Sequence, residues 1–211
     1  MSLIDFFSRH GAEILQATFE HIWLVGATML LSIAIGVPLG ILVARRPWLS
    51  KPILGSANVA ETIPSLALLG FFLTVPWLGE RADRLTIAAL TLYALLPIIR
   101  NTATGIAGVD PAVREAARGM GMTDRQILFR VELPLSVSTM LAGIRVATVL
   151  TIGIATIAAA VGAGGLGEFI FRGLAMVNNQ LILAGAVPAA LLALLADFLL
   201  SLLEHRLRPA R

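Results

Sequence analysis

Long apolar runs alternate with short polar stretches along this chain, and the lengths of the apolar runs predict its architecture. A membrane-spanning helix needs about 20 mainly apolar residues, and several segments of the sequence reach that length. They lie at about 22–44, 57–78, 85–107, 138–161 and 181–203. We therefore predict an all-α, polytopic membrane protein with about five transmembrane helices, in which residues 1–211 form a single transmembrane domain.

Two kinds of residue stand out inside the predicted spans. Pro38, Pro64 and Pro97 each lack a backbone donor, so we expect kinks in the first three spans. The fourth span carries small residues at every fourth position, and such a stripe allows close contact between helices. Its members are Gly143, Ala147, Thr151, Ala155 and Ala159. We expect this stripe to be buried in the bundle or at a subunit interface.

Between the third and fourth spans, residues 110–134 are rich in charge and carry the signals of a short helix. Asp110 is a favourable N-cap, and Pro111 suits the first helical position. About ten residues later, Gly121 can end the helix in a left-handed conformation. We call residues 110–134 the insert, and we predict that it folds as a helix, a glycine turn and a second helix.

The second helix of the insert is predicted to be amphipathic. Thr123 and Gln126 have the spacing of a capping box at its start, and we expect Pro134 to end it. The apolar face would consist of Ile127, Leu128 and Val131, whereas the polar positions are Arg125, Arg130 and Glu132. Such a helix can lie on lipid headgroups or present a face to a partner, and its composition alone leaves both alternatives open.

Composition supports a membrane protein and excludes several other classes. The 211 residues are 57% hydrophobic and 14% charged, with a mean hydropathy of +0.87, whereas soluble domains are about 25% charged. Cysteine is absent, which excludes disulfides and thiolate metal sites. The net charge of +3 comes mainly from arginines at the ends of apolar runs. Because these arginines form no continuous basic tract, we expect no nucleic-acid partner.

The distribution of basic residues predicts the orientation in the membrane. One set of connecting segments contains ten basic residues: Arg45, Arg46, Lys51, Arg114, Arg118, Arg125, Arg130, Arg206, Arg208 and Arg211. The other set contains four, namely Arg9, Arg81, Arg84 and Arg172. By the positive-inside rule the first set is cytoplasmic. We therefore expect the N-terminus outside, the C-terminus inside and the insert in the cytoplasm.

The sequence predicts no catalytic residues, no metal site and no cofactor bound by this chain. It lacks the phosphate loop that ATP hydrolysis would require. Gly162, Gly164 and Gly167 have the spacing of a dinucleotide-binding loop, but they follow a membrane span rather than a strand. We interpret them as a gate-like external segment or a plain glycine-rich loop. The histidines are scattered without metal-ligand spacing: His10, His21 and His205.

Four charged residues fall within or near the predicted spans, towards their cytoplasmic ends. They are Glu61, Arg100, Arg145 and Asp197. Ionisable groups inside a membrane are costly and usually have partners. We expect that some of the four pair across the bundle and act as gating charges, and the alternative is that their side chains extend to the headgroups.

The insert also carries a motif. The sequence EAARGMGMTDRQILFRVELP, from Glu115 to Pro134, resembles the cytoplasmic signature of ABC importer permeases. The matching residues are Glu115, Ala116, Ala117, Gly121, Val131, Leu133 and Pro134, with Val131 where isoleucine is usual. The resemblance implies that these residues form a coupling helix that docks on a separate ATPase subunit.

Three further stretches indicate which importers are most similar. They are ETIPSLALLGFF at 61–72, GAGGLGEFIFRGL at 162–174 and LADFLLSLLEHRL at 195–207. They resemble the permeases for glycine betaine, carnitine and choline, within a superfamily that includes methionine importers. Methionine or another small solute is the alternative substrate, and a secondary transporter is a weaker alternative.

The resemblance also implies partners and a location. The expected partners are cytoplasmic ATPase subunits holding ATP and magnesium, a second permease subunit that is identical or closely related, an external substrate-binding protein and the lipid bilayer. The expected location is the bacterial cytoplasmic membrane.

Overall fold

The computed structural model describes the backbone of residues 3–207, and side-chain surroundings from residue 10 onward. The described residues are helical throughout, with short connections and no strand. The α-helices are α1 (Leu3–Arg45), α2 (Pro47–Thr62), α3 (Ser65–Leu73), α4 (Pro76–Gly79), α5 (Ala82–Ala107), α6 (Pro111–Gly119), α7 (Asp124–Ile127), α8 (Leu133–Ala158), α9 (Gly167–Ala175) and α10 (Asn179–Arg206). A π turn, Leu128–Glu132, joins α7 to α8, and a 3₁₀ turn, Ala159–Val161, follows α8.

Helices α1, α5 and α8 form the centre of the bundle, and small residues bring them together. A Cβ added at Gly40 of α1 would lie 2.5 Å from Thr102 Cβ, and one at Gly143 of α8 would lie 2.5 Å from Asn101 Cβ. The predicted stripe continues from Gly143 along α8 through buried Ala147, Thr151 and Ala155. The structure thus confirms that the stripe is buried inside the bundle from Gly143 to Ala155, whereas Ala159 is half-buried in the 3₁₀ turn that follows α8.

Four helices in the described part of the chain are long and apolar enough to cross a membrane, or five if one bent pair counts as a span. The bent pair is α2 and α3, which meet at an angle of 94°. Ile63 between them is extended, with φ −71° and ψ 129°, as expected for a residue before proline. The predicted span at 57–78 is therefore a broken helix that begins at Pro47, and the break lies at Pro64, where a kink was predicted.

At the other two prolines the helix is not interrupted, and the kinks predicted there stay predictions. Helix α1 continues through Pro38, and α5 continues through Pro97. Proline removes one hydrogen bond from a helix, but packing against neighbouring helices can preserve the helical path. Pro97 lies in the bundle centre, where its carbonyl is also close to Gly143.

The glycine-rich segment after α8 folds back onto the first part of α1. Gly162, Gly164 and Gly165 have positive φ of 80°, 78° and 77°, and these turns lead into α9. Phe169 of α9 is buried in an apolar cluster that includes Ile14 of α1. The Arg172 guanidinium lies 2.8 Å from the Glu13 carboxylate. The segment is a short helix packed across the bundle.

Candidate functional site: the insert and the broken span

The first helix of the insert has the predicted caps. The Asp110 side chain accepts a hydrogen bond of 2.8 Å from the Ala112 backbone N–H. At the other end, Gly121 is left-handed with φ +79°. The Gly121 N–H donates to the Arg118 carbonyl at 2.9 Å, and the Met122 N–H donates to the Ala117 carbonyl at 3.1 Å. These two bonds form a Schellman motif, so α6 ends at a fixed position.

The second helix begins as predicted but does not end at Pro134. Thr123 and Gln126 form a reciprocal capping box, in which the Thr123 N–H donates to Gln126 Oε1 at 2.8 Å. The π turn Leu128–Glu132 then leads directly into α8, with Pro134 in its first turn. The prediction that Pro134 ends the helix is wrong. Proline is tolerated in a first turn, and the wider π turn before it rearranges the hydrogen bonds that proline would otherwise interrupt.

Glu132 is a buried ion-pair centre rather than a residue on a polar surface. Only 3% of it is exposed. Its Oε2 lies 2.5 Å from Arg45 Nη2 at the end of α1, and its Oε1 lies 2.9 Å from Arg114 Nε in α6. Arg114 also donates to the Ile106 carbonyl at the end of α5. We call Arg45, Arg114 and Glu132 the arginine–glutamate triad.

The triad joins the insert to the bundle. A buried carboxylate needs compensating charge and hydrogen bonds, and Glu132 obtains both from residues on two other helices. Arg114 contacts the foot of α8 and the end of α5 at once. Displacement of α6 would therefore break buried charged contacts unless α1, α5 and α8 moved with it.

The motif residues divide into an inner and an outer group. Ala117 is 1% exposed and packs α6 against its own chain. Glu115 and Ala116 are exposed, as is Pro134, whereas Val131 and Leu133 are half-buried. The motif does not distinguish Ala116 from Ala117, whereas in the structure Ala116 is exposed and Ala117 is buried.

An exposed apolar ridge runs along α6. Val113 is 40% exposed and Met120 is 75% exposed, and exposed Ala116 lies between them. Their spacing of three and four residues places them on one face of the helix. Because Ala117 and Arg114 hold the other side of α6 to the bundle, this ridge is free to contact another protein.

Two of the four predicted gating charges form an ion pair across the bundle. Arg145 Nε of α8 lies 3.4 Å from Asp197 Oδ1 of α10, and Arg145 Nη1 lies 3.6 Å from Glu204 Oε2. Arg100 donates a 3.1 Å hydrogen bond to the Asn58 side chain. Glu61 is exposed and has no ion pair or hydrogen bond within residues 10–207. A gating role for these charges stays a prediction.

The described residues contain no group of three histidine, cysteine, aspartate or glutamate side chains placed to hold a metal ion. Glu132 and Asn58 are the functional candidates that the sequence missed. The signal for Glu132 was a single acid between Val131 and Leu133 at the foot of a membrane helix, where an unpaired carboxylate would be costly.

A helical bundle with long apolar helices, a broken span and a short helix with an exposed apolar ridge defines a polytopic membrane protein. The chain belongs to the family described as the binding-protein-dependent transport system inner membrane component, which matches residues 36–209. This confirms the family resemblance of the insert and the predicted fold class, and it places the chain among multi-pass inner-membrane proteins.

The curated relatives cover nearly the whole chain. It is 45% identical over 208 residues to the carnitine transport permease protein OpuCB of Listeria monocytogenes, covering 99% of this chain and 94% of that protein. It is 44% identical to the glycine betaine/carnitine/choline transport system permease protein OpuCD of Bacillus subtilis (strain 168), covering 98% of this chain and 89% of that protein. It is 41% identical to the osmoprotectant import permease protein OsmW of Salmonella typhimurium (strain LT2), covering 99% and 98%.

Solved structures share the fold. The chain is similar to one from the MetNI methionine ABC transporter in an inward-facing conformation, with a TM-score of 0.83 and 22% identity. The match covers 94% of this chain and 96% of that chain. A chain from an amino acid ABC transporter with histidines has a TM-score of 0.74, 21% identity and coverage of 98% and 99%.

Proposed function

We propose that this chain is the membrane-spanning subunit of an ABC importer for quaternary-ammonium osmoprotectants such as glycine betaine, carnitine and choline. The support is the identity of 41–45%, over at least 98% of this chain, to two permeases named for carnitine or for glycine betaine, carnitine and choline and to one named for osmoprotectants. The methionine transporter is only 22% identical, so its similarity supports the fold and not the substrate. Methionine or another small solute is the alternative that the uptake experiment below addresses.

The insert is the coupling element, and it docks on a cytoplasmic ATPase subunit. The observation that carries this role is the two-sided construction of α6. One side is bound to the bundle by Ala117 and the arginine–glutamate triad. The other side presents the ridge of Val113, Ala116 and Met120. Small Ala116 lets a partner surface approach the helix backbone closely, and exposed Glu115 offers a carboxylate beside it.

The mechanism follows from these contacts. ATP binding, with magnesium, draws two ATPase subunits together and displaces the docked α6 helices. The displacement passes through Arg114 to Glu132 at the foot of α8, and from Glu132 to Arg45 at the end of α1. Helices α1 and α8 are in close contact with α5, so the three move as a unit. Two permease copies, identical or closely related, would enclose the pathway, and an external binding protein would deliver the substrate.

The orientation is part of the proposal. With the insert in the cytoplasm, the N-terminus lies outside and the C-terminus inside, as the arginine distribution indicates. The turn at Gly162–Gly165 and helix α9 then lie on the outer side, where the binding protein docks. Helix α9 is held to α1 by the exposed Glu13–Arg172 pair.

The first test is uptake and copurification with reconstituted partners. The permease is expressed with its ATPase and binding protein and reconstituted into proteoliposomes, and uptake of labelled glycine betaine, choline, carnitine and methionine is measured with and without ATP. The Ala116→Trp variant places a bulky side chain on the free ridge, and Ala175→Trp is the matched control on exposed α9. We expect ATP-dependent uptake of the quaternary-ammonium compounds, with ATPase retention lost only in Ala116→Trp.

The outcomes separate the two parts of the proposal. Retention of the ATPase by Ala116→Trp, with normal uptake, would contradict docking on the ridge. ATP-driven uptake of methionine without uptake of any quaternary-ammonium compound would contradict the substrate class and leave the coupling role standing.

A further inference from the structure

We infer that the break between α2 and α3 lines the translocation pathway, and that the Glu61 carboxylate there is a weak binding site for the cationic headgroup of the substrate. The inference rests on the proposed function for the identity of the ligand. Its structural basis is the depth of the break, the exposed polar groups beside it and the absence of a partner for Glu61 within residues 10–207.

The depth of the break is fixed by Tyr93. The Tyr93 hydroxyl donates a hydrogen bond to the Ile63 carbonyl, which lies between α2 and α3. Tyr93 is near the middle of α5, a helix of 26 residues, which at about 1.5 Å per residue is about 39 Å long and therefore long enough to cross the membrane. The break is therefore near the middle of the membrane, since the hydrocarbon core is about 30 Å thick. Glu61 lies deeper than the cytoplasmic end of the span where the sequence placed it, because α2 begins ten residues earlier, at Pro47, than the predicted span.

Exposed polar groups lie at this depth, beside the exposed apolar side chains of Val59, Ile63 and Leu66. Asn58, Glu61 and Thr62 near the end of α2 are all exposed, and Arg100 of α5 bonds to Asn58 beside them. By contrast, α10 exposes the apolar side chains Leu191, Leu194, Leu195 and Phe198. Lipid tails suit the surface of α10, but polar groups and irregular backbone at mid-depth require water or protein. The α2–α3 break therefore fronts a pathway.

The break favours a positive charge. Glu61 is the last acid before the end of α2. The partial negative charge at the end of α2 lies beside the partial positive charge at the start of α3, so the net negative charge at the break comes from the Glu61 carboxylate itself. The nearby cation, Arg100, bonds to the Asn58 amide and not to Glu61. The Glu61 carboxylate is consequently available to a mobile cation. A broken helix that presents its C-terminal end at mid-depth is an arrangement that binds cations in other transporters.

The chemistry of the ligand leads to a specific expectation. A trimethylammonium group has no hydrogen-bond donor, so a carboxylate attracts it by charge alone. Choline is a cation, whereas glycine betaine and carnitine also carry a carboxylate that Glu61 repels. Loss of the Glu61 charge should therefore weaken transport of choline more than transport of glycine betaine. A single charge pair about 4 Å apart in water-like surroundings corresponds to a change of about fivefold.

The first experiment measures access to the break. The chain has no cysteine, so Glu61→Cys introduces a unique thiol, and Leu191→Cys is the control on apolar α10, where Leu191 is 60% exposed. The probe is a methanethiosulfonate reagent with a trimethylammonium group, applied to proteoliposomes whose partner subunits lack cysteine. We expect Glu61→Cys to react at least about tenfold faster than Leu191→Cys, and choline to slow its reaction. Equal, slow labelling of both variants would overturn the pathway assignment.

The second experiment tests the cation site by transport. Uptake of choline and glycine betaine is measured for the unmodified permease, Glu61→Gln and Glu61→Asp. We expect Glu61→Gln to raise the KM for choline about threefold relative to that for glycine betaine, because the two compounds differ only by the repulsion of the betaine carboxylate about 7 Å away, and Glu61→Asp to restore the ratio. An unchanged ratio in Glu61→Gln would overturn the cation site while the unmodified permease still carries both compounds. If the unmodified permease carries neither, the proposed substrate class fails, and the cation site fails with it.

Discussion

Removal of the buried charge of Glu132 should reveal whether the arginine–glutamate triad acts as one unit. Hydrogen bonds to charged groups contribute about 1.5–3 kcal/mol each, and Glu132 accepts one from each arginine at 2.5 and 2.9 Å. A glutamine side chain in its place would retain one neutral acceptor. The side chains of Arg45 and Arg114 are 31% and 22% exposed, so water compensates for part of the lost interaction with the carboxylate. We expect Glu132→Gln to lower the free energy of unfolding by about 2–4 kcal/mol.

A double-mutant cycle makes the prediction specific. Arg114→Gln alone should cost about 1.5–3 kcal/mol, because Glu132 keeps Arg45. Once Glu132 is neutral, the main contact that Arg114→Gln still removes is the bond to the Ile106 carbonyl, so the double variant should cost at least about 1 kcal/mol less than the sum of the single variants. Arg118→Gln is the control, an exposed cation one turn along α6, with an expected effect within about 0.5 kcal/mol.

Stability is measured by equilibrium unfolding of the permease in mixed micelles titrated with SDS. Coupling is measured in the reconstituted complex as the ratio of ATP molecules hydrolysed to substrate molecules transported. The triad variants should raise that ratio, because motion of α6 reaches α1 and α8 less efficiently. Additive effects of Glu132→Gln and Arg114→Gln on stability, or an Arg118→Gln effect as large as that of Arg114→Gln, would refute the reasoning.

Three further predictions concern single contacts. Gly121→Val should reduce ATPase copurification and destabilise the insert by about 1–2 kcal/mol, because a residue with a side chain is strained in the left-handed conformation that Gly121 adopts, with φ +79°. The control is Gly119→Val, two residues earlier in α6 with open space around it, which should have a smaller effect on copurification. Gly143→Ala should lower the SDS midpoint, because its Cβ would lie 2.5 Å from Asn101 Cβ, whereas Gly153→Ala in the same helix meets nothing within 4 Å and should leave the midpoint unchanged or raise it. Tyr93→Phe should cost about 0.5–1.5 kcal/mol in the same titration through loss of the bond to Ile63, and an unchanged midpoint would show that the hydroxyl does not hold the break.

Features encoded within a few residues were predictable from the sequence. The caps at Asp110 and Gly121 and the capping box at Thr123 each involve partners at most five residues apart, and all are present in the structure. The small-residue stripe was also predictable, because residues spaced four apart lie on one face of a helix. The position of the break at Pro64 also followed from local chemistry, although its angle depends on how α3 packs.

Features that depend on distant partners were not predictable in this way. Glu132 was grouped with Arg125 and Arg130 as a polar position of an amphipathic helix, but its partners lie 18 and 87 residues away. The end of the helix at Pro134 was misjudged for a related reason. A π turn has no distinctive sequence pattern, and it allows the chain to pass from α7 into α8 without a stop.

The π turn and the triad together explain how a force on the insert can reach the membrane helices. A π turn has fewer well-aligned hydrogen bonds than an α-helix and is a common site of local rearrangement, so a displacement carried only by the backbone from α7 to α8 would be partly absorbed there. Glu132 is the last residue of that turn, and its carboxylate is held from both sides by Arg45 and Arg114. The charged contacts therefore bridge the most deformable part of the connection. Because the bridge also includes α1, displacement of α6 acts on two core helices at once, and both are packed against the helix whose Tyr93 holds the α2–α3 break.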